Sequence, residues 1–472
     1  MHALKKMIAG LMAVAVLSGL IGTPPAAGIT IKEEEDLGRE FLTYVNLQME
    51  VIDDPLILGY VNSIGKKILA TMPPQPFPYH FYVVDQEVYN AFATPAGHVF
   101  IYSGLIAAMD NEDELAGILA HEISHVTARH ISQKIERSKL ISIATLAGVA
   151  AGMLLGAAGG GQAAGALTMG SMAAGQSASL AFSRENEVQA DQIGMGYLTD
   201  AGYTGQGLLT VLNKIRAKQW YGSDQIPTYL MTHPAVEDRL AYIDTYLAGR
   251  KKDSGSVQAV NTEAFRLMHA RLLALYAEEK VALGKFEAAI KSNDADAITY
   301  YGYGLALARA GKREQAVAAL KKALETEAFN PTVLAALGRI YFLDKRYPEA
   351  LNAIASALSL DPQQPEALFY LGRTHLELDQ PAEAQAAFER LRRQEFVSRP
   401  VYYFLGKAYG QQGMLAEAYV SLGEFYYLKH DYANARIQFR QALEKVENPD
   451  QRRDLEERLK EIKKILKALK ES

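Results

Sequence analysis

The run His121-Glu122-Ile123-Ser124-His125 constrains this chain more than any other stretch. It lies inside residues 115–130, where apolar residues recur with helical rather than strand period. On a helix, positions i and i+4 share one face about a turn apart, so both imidazoles can reach a single metal ion. Glu122 then projects beside them, where it takes a proton from a water on that ion instead of binding the ion itself. A catalytic zinc needs three protein ligands and one open position. The fold must therefore bring a third ligand in from elsewhere.

A candidate follows some sixty residues later, in Ser183-Arg-Glu-Asn-Glu187-Val-Gln-Ala-Asp191. Glu187 and Asp191 are again i and i+4, so one carboxylate could bind metal while the other braces a ligand histidine. That brace would fix the ring's tautomer and raise its basicity. The chain has no cysteine, which excludes disulfides, thiolate zinc sites and cysteine nucleophiles. Any metal site must use histidine and carboxylate. With a net charge of −5 and no basic stripe, nucleic acid is not an expected partner. At 472 residues there is room for two or three domains with full cores.

Residues 1–28 read as a cleavable signal peptide. Lys5 and Lys6 precede an apolar run over residues 7–21, and Pro24-Pro-Ala-Ala-Gly28 follows. The run is short for a membrane span, and no cysteine follows it for lipid attachment. The expectation is a periplasmic protein, where the source has an outer membrane. Residues 31–71 carry a helical pattern through Leu37, Phe41, Val45, Val51, Ile57, Val61 and Ile64, ended by Pro73, Pro74, Pro76 and Pro78. Residues 79–84 and 99–102 read as short strands separated by residues 90–97. Asn111-Glu-Asp-Glu114 starts the metal helix with the acidic first turn that a helix dipole favours. A strand beside that helix could pair along its free edge with an extended peptide.

Three motifs, Asn90-Ala-Phe-Ala-Thr-Pro-Ala-Gly-His-Val-Phe100, His121-Glu-Ile-Ser-His125 and Ser183-Arg-x-x-Glu187-x-x-x-Asp191, resemble in order and spacing the HtpX and CAAX-prenyl-protease type zinc metallopeptidases. The likeness runs over about residues 33–247. It implies a mainly α fold, a gluzincin-like domain with a small β-sheet. It also implies one zinc ion held by His121, His125 and Glu187, with Glu122 as general base and Asp191 in support. Thr232-His233-Pro234 followed by Arg239 matches the same family. Three roles are open to His233: hydrogen-bonding a tetrahedral oxyanion, filling the open zinc position in a resting state, or capping the helix that follows. Arg239 is expected beside the ligands rather than on the metal. His130, nine residues after His121, is off the metal face by helical phase and suits a supporting or surface place. Residues 140–181, dominated by Ala and Gly, read as a helical hairpin near the cleft, with peripheral membrane contact or substrate gating open to it.

The expected division is a metallopeptidase domain over residues 29–250, a polar linker over 251–261, repeats over 262–446 and a charged amphipathic helix over 447–472. Gly304, Gly338, Gly372 and Gly406 are each 34 residues apart, and Ala316, Ala350, Ala384 and Ala418 follow each by twelve. That period resembles tetratricopeptide repeats, helical pairs stacked into an α-solenoid. The last pair restarts half a repeat early, as though one helix served two units. Leu455, Leu459, Ile462 and Leu466 form one stripe of the terminal helix, suited to cap the last repeat. An export signal joined to a repeat tail is similar to the periplasmic BepA-like branch of the family, linked to outer-membrane protein quality control. The resemblance implies a zinc metalloendopeptidase degrading misfolded or stalled envelope proteins, its repeats binding clients or the outer-membrane assembly machinery. The alternative is a gated chaperone or scaffold in that assembly with little constitutive proteolysis.

Overall fold

The computed structural model describes residues 29–137, 182–221, 228–250, 262–293 and 295–471. The expected signal segment, the Ala/Gly-rich segment 140–181 and the linker 251–261 lie outside the described residues. No described helix is long and apolar enough to cross a membrane.

The continuous helical pattern of residues 31–71 folds as two helices, α1 (Ile31–Gln48) and α2 (Pro55–Leu69). Asp54 accepts from the backbone N–H groups of Leu56 and Ile57, and Pro55 occupies the first helical position. That stop-and-start signal overrides the apolar period. Between the helices, the Ile52 N–H donates to the Val83 carbonyl at 2.8 Å, tying the break to the sheet.

The sheet has three strands, β1 (His80–Val84), β2 (Ala91–Thr94) and β3 (His98–Tyr102), in the order β1-β3-β2. β1 runs parallel to β3 and β2 antiparallel to it, with Ala91 opposite Ile101. β2 falls inside the segment read as the separator between two strands. Four residues of Ala, Phe and Thr show no alternation of their own, and pairing with β3 makes them a strand. The turn at Pro95–Gly97 permits this. Ala96 and Gly97 are left-handed (φ 63° and 82°), and a Cβ on Gly97 would stand 2.5 Å from the Pro78 carbonyl oxygen.

After the short α3 (Ser103–Ile106), α4 (Glu112–Thr127) runs through the centre of the domain, with residues 112–126 all buried. Asn111 caps it by accepting from the Glu114 N–H. The acidic first turn does more than meet a helix dipole. Glu112 accepts from the hydroxyls of Tyr60 and Tyr203 at 2.6 and 2.8 Å, and Glu114 pairs with Lys214 at 2.7 Å. Asp113 accepts from the Gly207 N–H at 2.7 Å at the start of a later helix. Around α4 lie α5 (His130–Arg137), α6 (Arg184–Asp200), α7 (Gln206–Tyr221), α8 (Thr228–Thr232) and α9 (Val236–Arg250). Small residues let two of these come close. A Cβ on Gly117 would meet the Leu208 backbone at 2.8 Å, and one on Gly194 the Ala120 backbone at 3.3 Å.

Among the described residues twelve helices follow, from α10 (Thr262–Tyr276) to α21 (Pro449–Glu471), each packed on the next. The 34-residue glycines mark the crossings. Gly304, Gly338, Gly372 and Gly406 receive Leu320, Ile354, Phe388 and Leu422, which would touch an added Cβ at 3.0 Å or less. In the helix Leu415–Leu428, Leu422 packs onto Gly406 of the helix before, while Gly423 receives Phe439 from the helix after. One helix thus serves two units. Leu455 and Ile462 of α21 are buried against Phe439, Ala442 and Val446. The first helix of the series faces two ways. Phe265, Met268 and Leu272 of α10 join the core around α4, and Ala270, Leu273 and Ala274 join the repeat core. Further along, the repeats return to α2 and the turn before it, through Lys66 with Glu395 and Asp53 with Arg399 at 3.0 Å.

Candidate metal centre

His121 and His125 project from one face of α4, with ring centroids 4.6 Å apart. Across from them α6 presents Glu187, and the segment between α8 and α9 presents His233. Each of the four offers one ligand atom, and these lie within 4.8 Å of one another. All four side chains are fully buried. His125 Nε2 is 3.0 Å from His121 Nε2 and 3.4 Å from a Glu187 oxygen, and His233 Nδ1 is 3.4 Å from His121 Nε2 and 3.1 Å from Glu187. The edge of a tetrahedron with zinc bonds of about 2.0–2.1 Å is about 3.3 Å. The donors are spaced as a tetrahedral set would be.

Glu122 is also fully buried, its Oε1 3.6 Å from His233 Nε2, and neither of its oxygens has a hydrogen-bond partner. His233 Nε2 and the Tyr229 hydroxyl are likewise unpartnered. Buried polar atoms without partners are costly, and so many in one place mark a site built for something else to complete it. A divalent cation fits: two or three imidazoles and a carboxylate are the borderline donor set of zinc.

The supports are as specific as the donors. Asp191 receives His121 Nδ1 at 2.9 Å, so the lone pair on Nε2 faces the other donors. Arg239 donates to both oxygens of Asp191 at 2.8 Å and lies 2.8 Å from Glu187. Every site residue expected from the sequence, His121, Glu122, His125, Glu187, Asp191, His233 and Arg239, is thus gathered in one buried cluster. Two aromatic walls were not expected. Phe182 stacks on His125 at 3.9 Å between centroids, and Tyr229 stacks on His233 at 4.4 Å. Their signal in the sequence is only proximity, one residue before Ser183 and four before His233.

The charges follow from burial and neighbours. Burial and the other histidines hold His125 well below the usual imidazole value, against the pull of Glu187, so it is neutral and able to ligate. Burial and Arg239 lower His121, but Asp191 and Glu187 outweigh them and lift it to about 9. A divalent ion supplies the positive charge that this proton represents, and binding releases the proton. Burial raises Glu122, with His233 and His121 drawing it back. Burial also pushes Glu187 up, but His233, Arg239 and the ligand histidines bring it well below the carboxylate range, keeping it anionic.

Residues 59–247 match Peptidase family M48, and residues 280–331, 304–365 and 341–408 match the tetratricopeptide repeat. The chain carries an M48 domain followed by tetratricopeptide repeats. The M48 domain contains every residue of the cluster. Among similar curated proteins, the beta-barrel assembly-enhancing protease of Yersinia pestis is 36% identical over 47% of this chain and 45% of its own length. That of Escherichia coli K12 is 32% identical over 54% and 51%. The mitochondrial metalloendopeptidase OMA1 of Arabidopsis thaliana is 28% identical over 45% and 41%. The chain spans about half the length of the curated relatives it matches.

Proposed function

We propose that the chain is an exported, periplasmic zinc metalloendopeptidase acting on misfolded or stalled envelope proteins, with the repeats binding clients or an assembly partner. The observation that carries this reading is the convergence of His121, His125, Glu187 and His233 within 4.8 Å beside an unpartnered Glu122, inside an M48 domain. The names of the beta-barrel assembly-enhancing relatives support the substrate class.

His121, His125 and Glu187 would hold the ion, and Asp191 and Arg239 orient His121 and Glu187. Bound zinc supplies a Lewis acid for the peptide carbonyl and a water whose pKa falls toward about 7. Glu122 takes the proton of the attacking water and returns it to the leaving amine. An extended substrate would pair with the outer edge of β2, which packs beside α4, once that edge is uncovered, since Ala91, Ala93 and Thr94 are buried. Replacing Glu122→Gln keeps the shape and removes the base. Digestion of casein or unfolded outer-membrane protein should fall by about 10²–10⁴-fold with one zinc still bound. Retained digestion contradicts the assignment.

A gated form of the same function is favoured by one observation: His233 stands among the ligand atoms and the whole cluster is sealed from solvent. As a fourth ligand it would hold the site shut. His233→Ala should then raise cleavage of short peptides while zinc stays bound. Loss of cleavage would assign it to the oxyanion instead. Should the Glu122→Gln form rescue cells lacking the protein, the scaffold role dominates.

A further inference from the structure

The two ligand histidines are held by different means. His121 Nδ1 faces the Asp191 carboxylate, but His125 has no carboxylate behind it. Its Nδ1 faces His130 Nδ1 at 2.9 Å, and His130 Nε2 lies 2.9 Å from the Gln189 side-chain oxygen. An amide oxygen only accepts, so His130 Nε2 carries a proton. The Nδ1 of a neutral His130 is then bare and accepts from His125 Nδ1–H. His125 Nε2 is thereby bare too, and it is this nitrogen that faces His121 and Glu187. We propose that His130 and Gln189 are positioning residues that lock His125 in the tautomer able to bind metal. The proposal rests on the metal reading above.

Two features of the fold serve this lock. Helical phase would carry His130 away from the metal face, but Arg129 is left-handed (φ 53°) and breaks the helix between α4 and α5. The Arg129 side chain is pinned by Glu34 at 2.8 Å and the Ile29 carbonyl at 2.6 Å, fixing the corner that brings His130 behind His125. Gln189 stands two residues after Glu187 on α6. The turn that supplies the carboxylate ligand also supplies the oxygen that sets the relay. Reversing the relay would put a proton on His125 Nε2 and block ligation.

The test uses the full chain carrying Glu122→Gln, which prevents self-digestion, with zinc titrated against a chromophoric chelator. His130→Ala and Gln189→Leu should weaken zinc binding by roughly 10–100-fold. Gln189→Glu, which keeps an accepting oxygen, should stay near the parent. Long-range ¹⁵N–¹H spectra of the histidine rings should show His125 protonated at Nδ1 and His130 at Nε2, a pattern a merely space-filling role would not require. Circular dichroism separates misfolding from loss of metal, and if His130→Ala misfolds, Gln189→Leu and the ring spectra decide. Unchanged affinity in both variants, or His125 protonated at Nε2, overturns the lock while leaving the metal reading in place. A parent that binds no zinc overturns both.

Discussion

Two buried clusters of charge lie in this chain, and they are completed in different ways. Around Arg271, where α10 meets α2 and the repeats, each carboxylate is answered by a guanidinium, and among these side chains only Arg339 Nε is without a partner. Arg271 donates to Asp54 and Glu366 at 2.8 Å and to the Tyr301 hydroxyl at 3.0 Å, Asp54 caps α2, and Glu366 also accepts from Arg339 at 3.2 Å. Around His121, equally buried atoms of Glu122, His233 and Tyr229 face inward without partners. A cluster satisfied by the chain itself ties parts of the molecule together. One left unsatisfied is kept for an ion and a substrate.

The contrast can be broken by mutation. Arg271→Met should destabilise the fold by about 3–5 kcal/mol, since Asp54 loses its guanidinium and Glu366 keeps only Arg339, yet leave zinc bound one per chain in the folded fraction. Denaturant titration with metal analysis checks both halves. Loss of zinc without loss of stability would reverse the roles of the two clusters.

A smaller effect sharpens it through pH. Burial pushes Glu366 up, but Arg271 and Arg339 more than offset this and hold it below its ordinary 4.5. Its contribution to stability is therefore fully present above about 4.5 and is lost as pH falls through the depressed folded value. The difference in melting temperature between the wild type and Glu366→Gln should be level from pH 7 to about 5 and shrink in stronger acid. A difference that grows toward acid would mean the carboxylate is not the paired species. The smallest effect is a control on α6: Gly196 has open space where a Cβ would go, so Gly196→Ala should be neutral or stabilising by up to about 1 kcal/mol. A clear loss would show that α6 tolerates less than its packing suggests.

What the sequence showed of these clusters differs for the same reason. The metal residues sit in short motifs whose spacing is set by helix geometry, so His121, His125, Glu187 and Asp191 could be read from i, i+4 steps. The repeat period was legible because one packing solution, glycine under a large side chain, recurs every 34 residues. Arg271, Asp54 and Glu366 are far apart in the chain and share no pattern, so only the folded solenoid reveals them. The same holds for Gln189 behind His130, for β2, and for the acids of α4 that hold Tyr60, Tyr203 and Lys214. Helical phase was enough to take His130 off the metal face, but not to show the left-handed Arg129 that sets it behind His125.

Peptidase activity in this chain requires one ion bound by side chains from α4 and α6. X-ray absorption at the zinc edge, on protein purified without chelator and paired with elemental analysis, measures this directly. It should find one zinc per chain in a four-coordinate shell of nitrogen and oxygen at about 2.0–2.2 Å, lost in Glu187→Ala. Protein that carries no zinc and takes none up, or a zinc shell unchanged by Glu187→Ala, would contradict it.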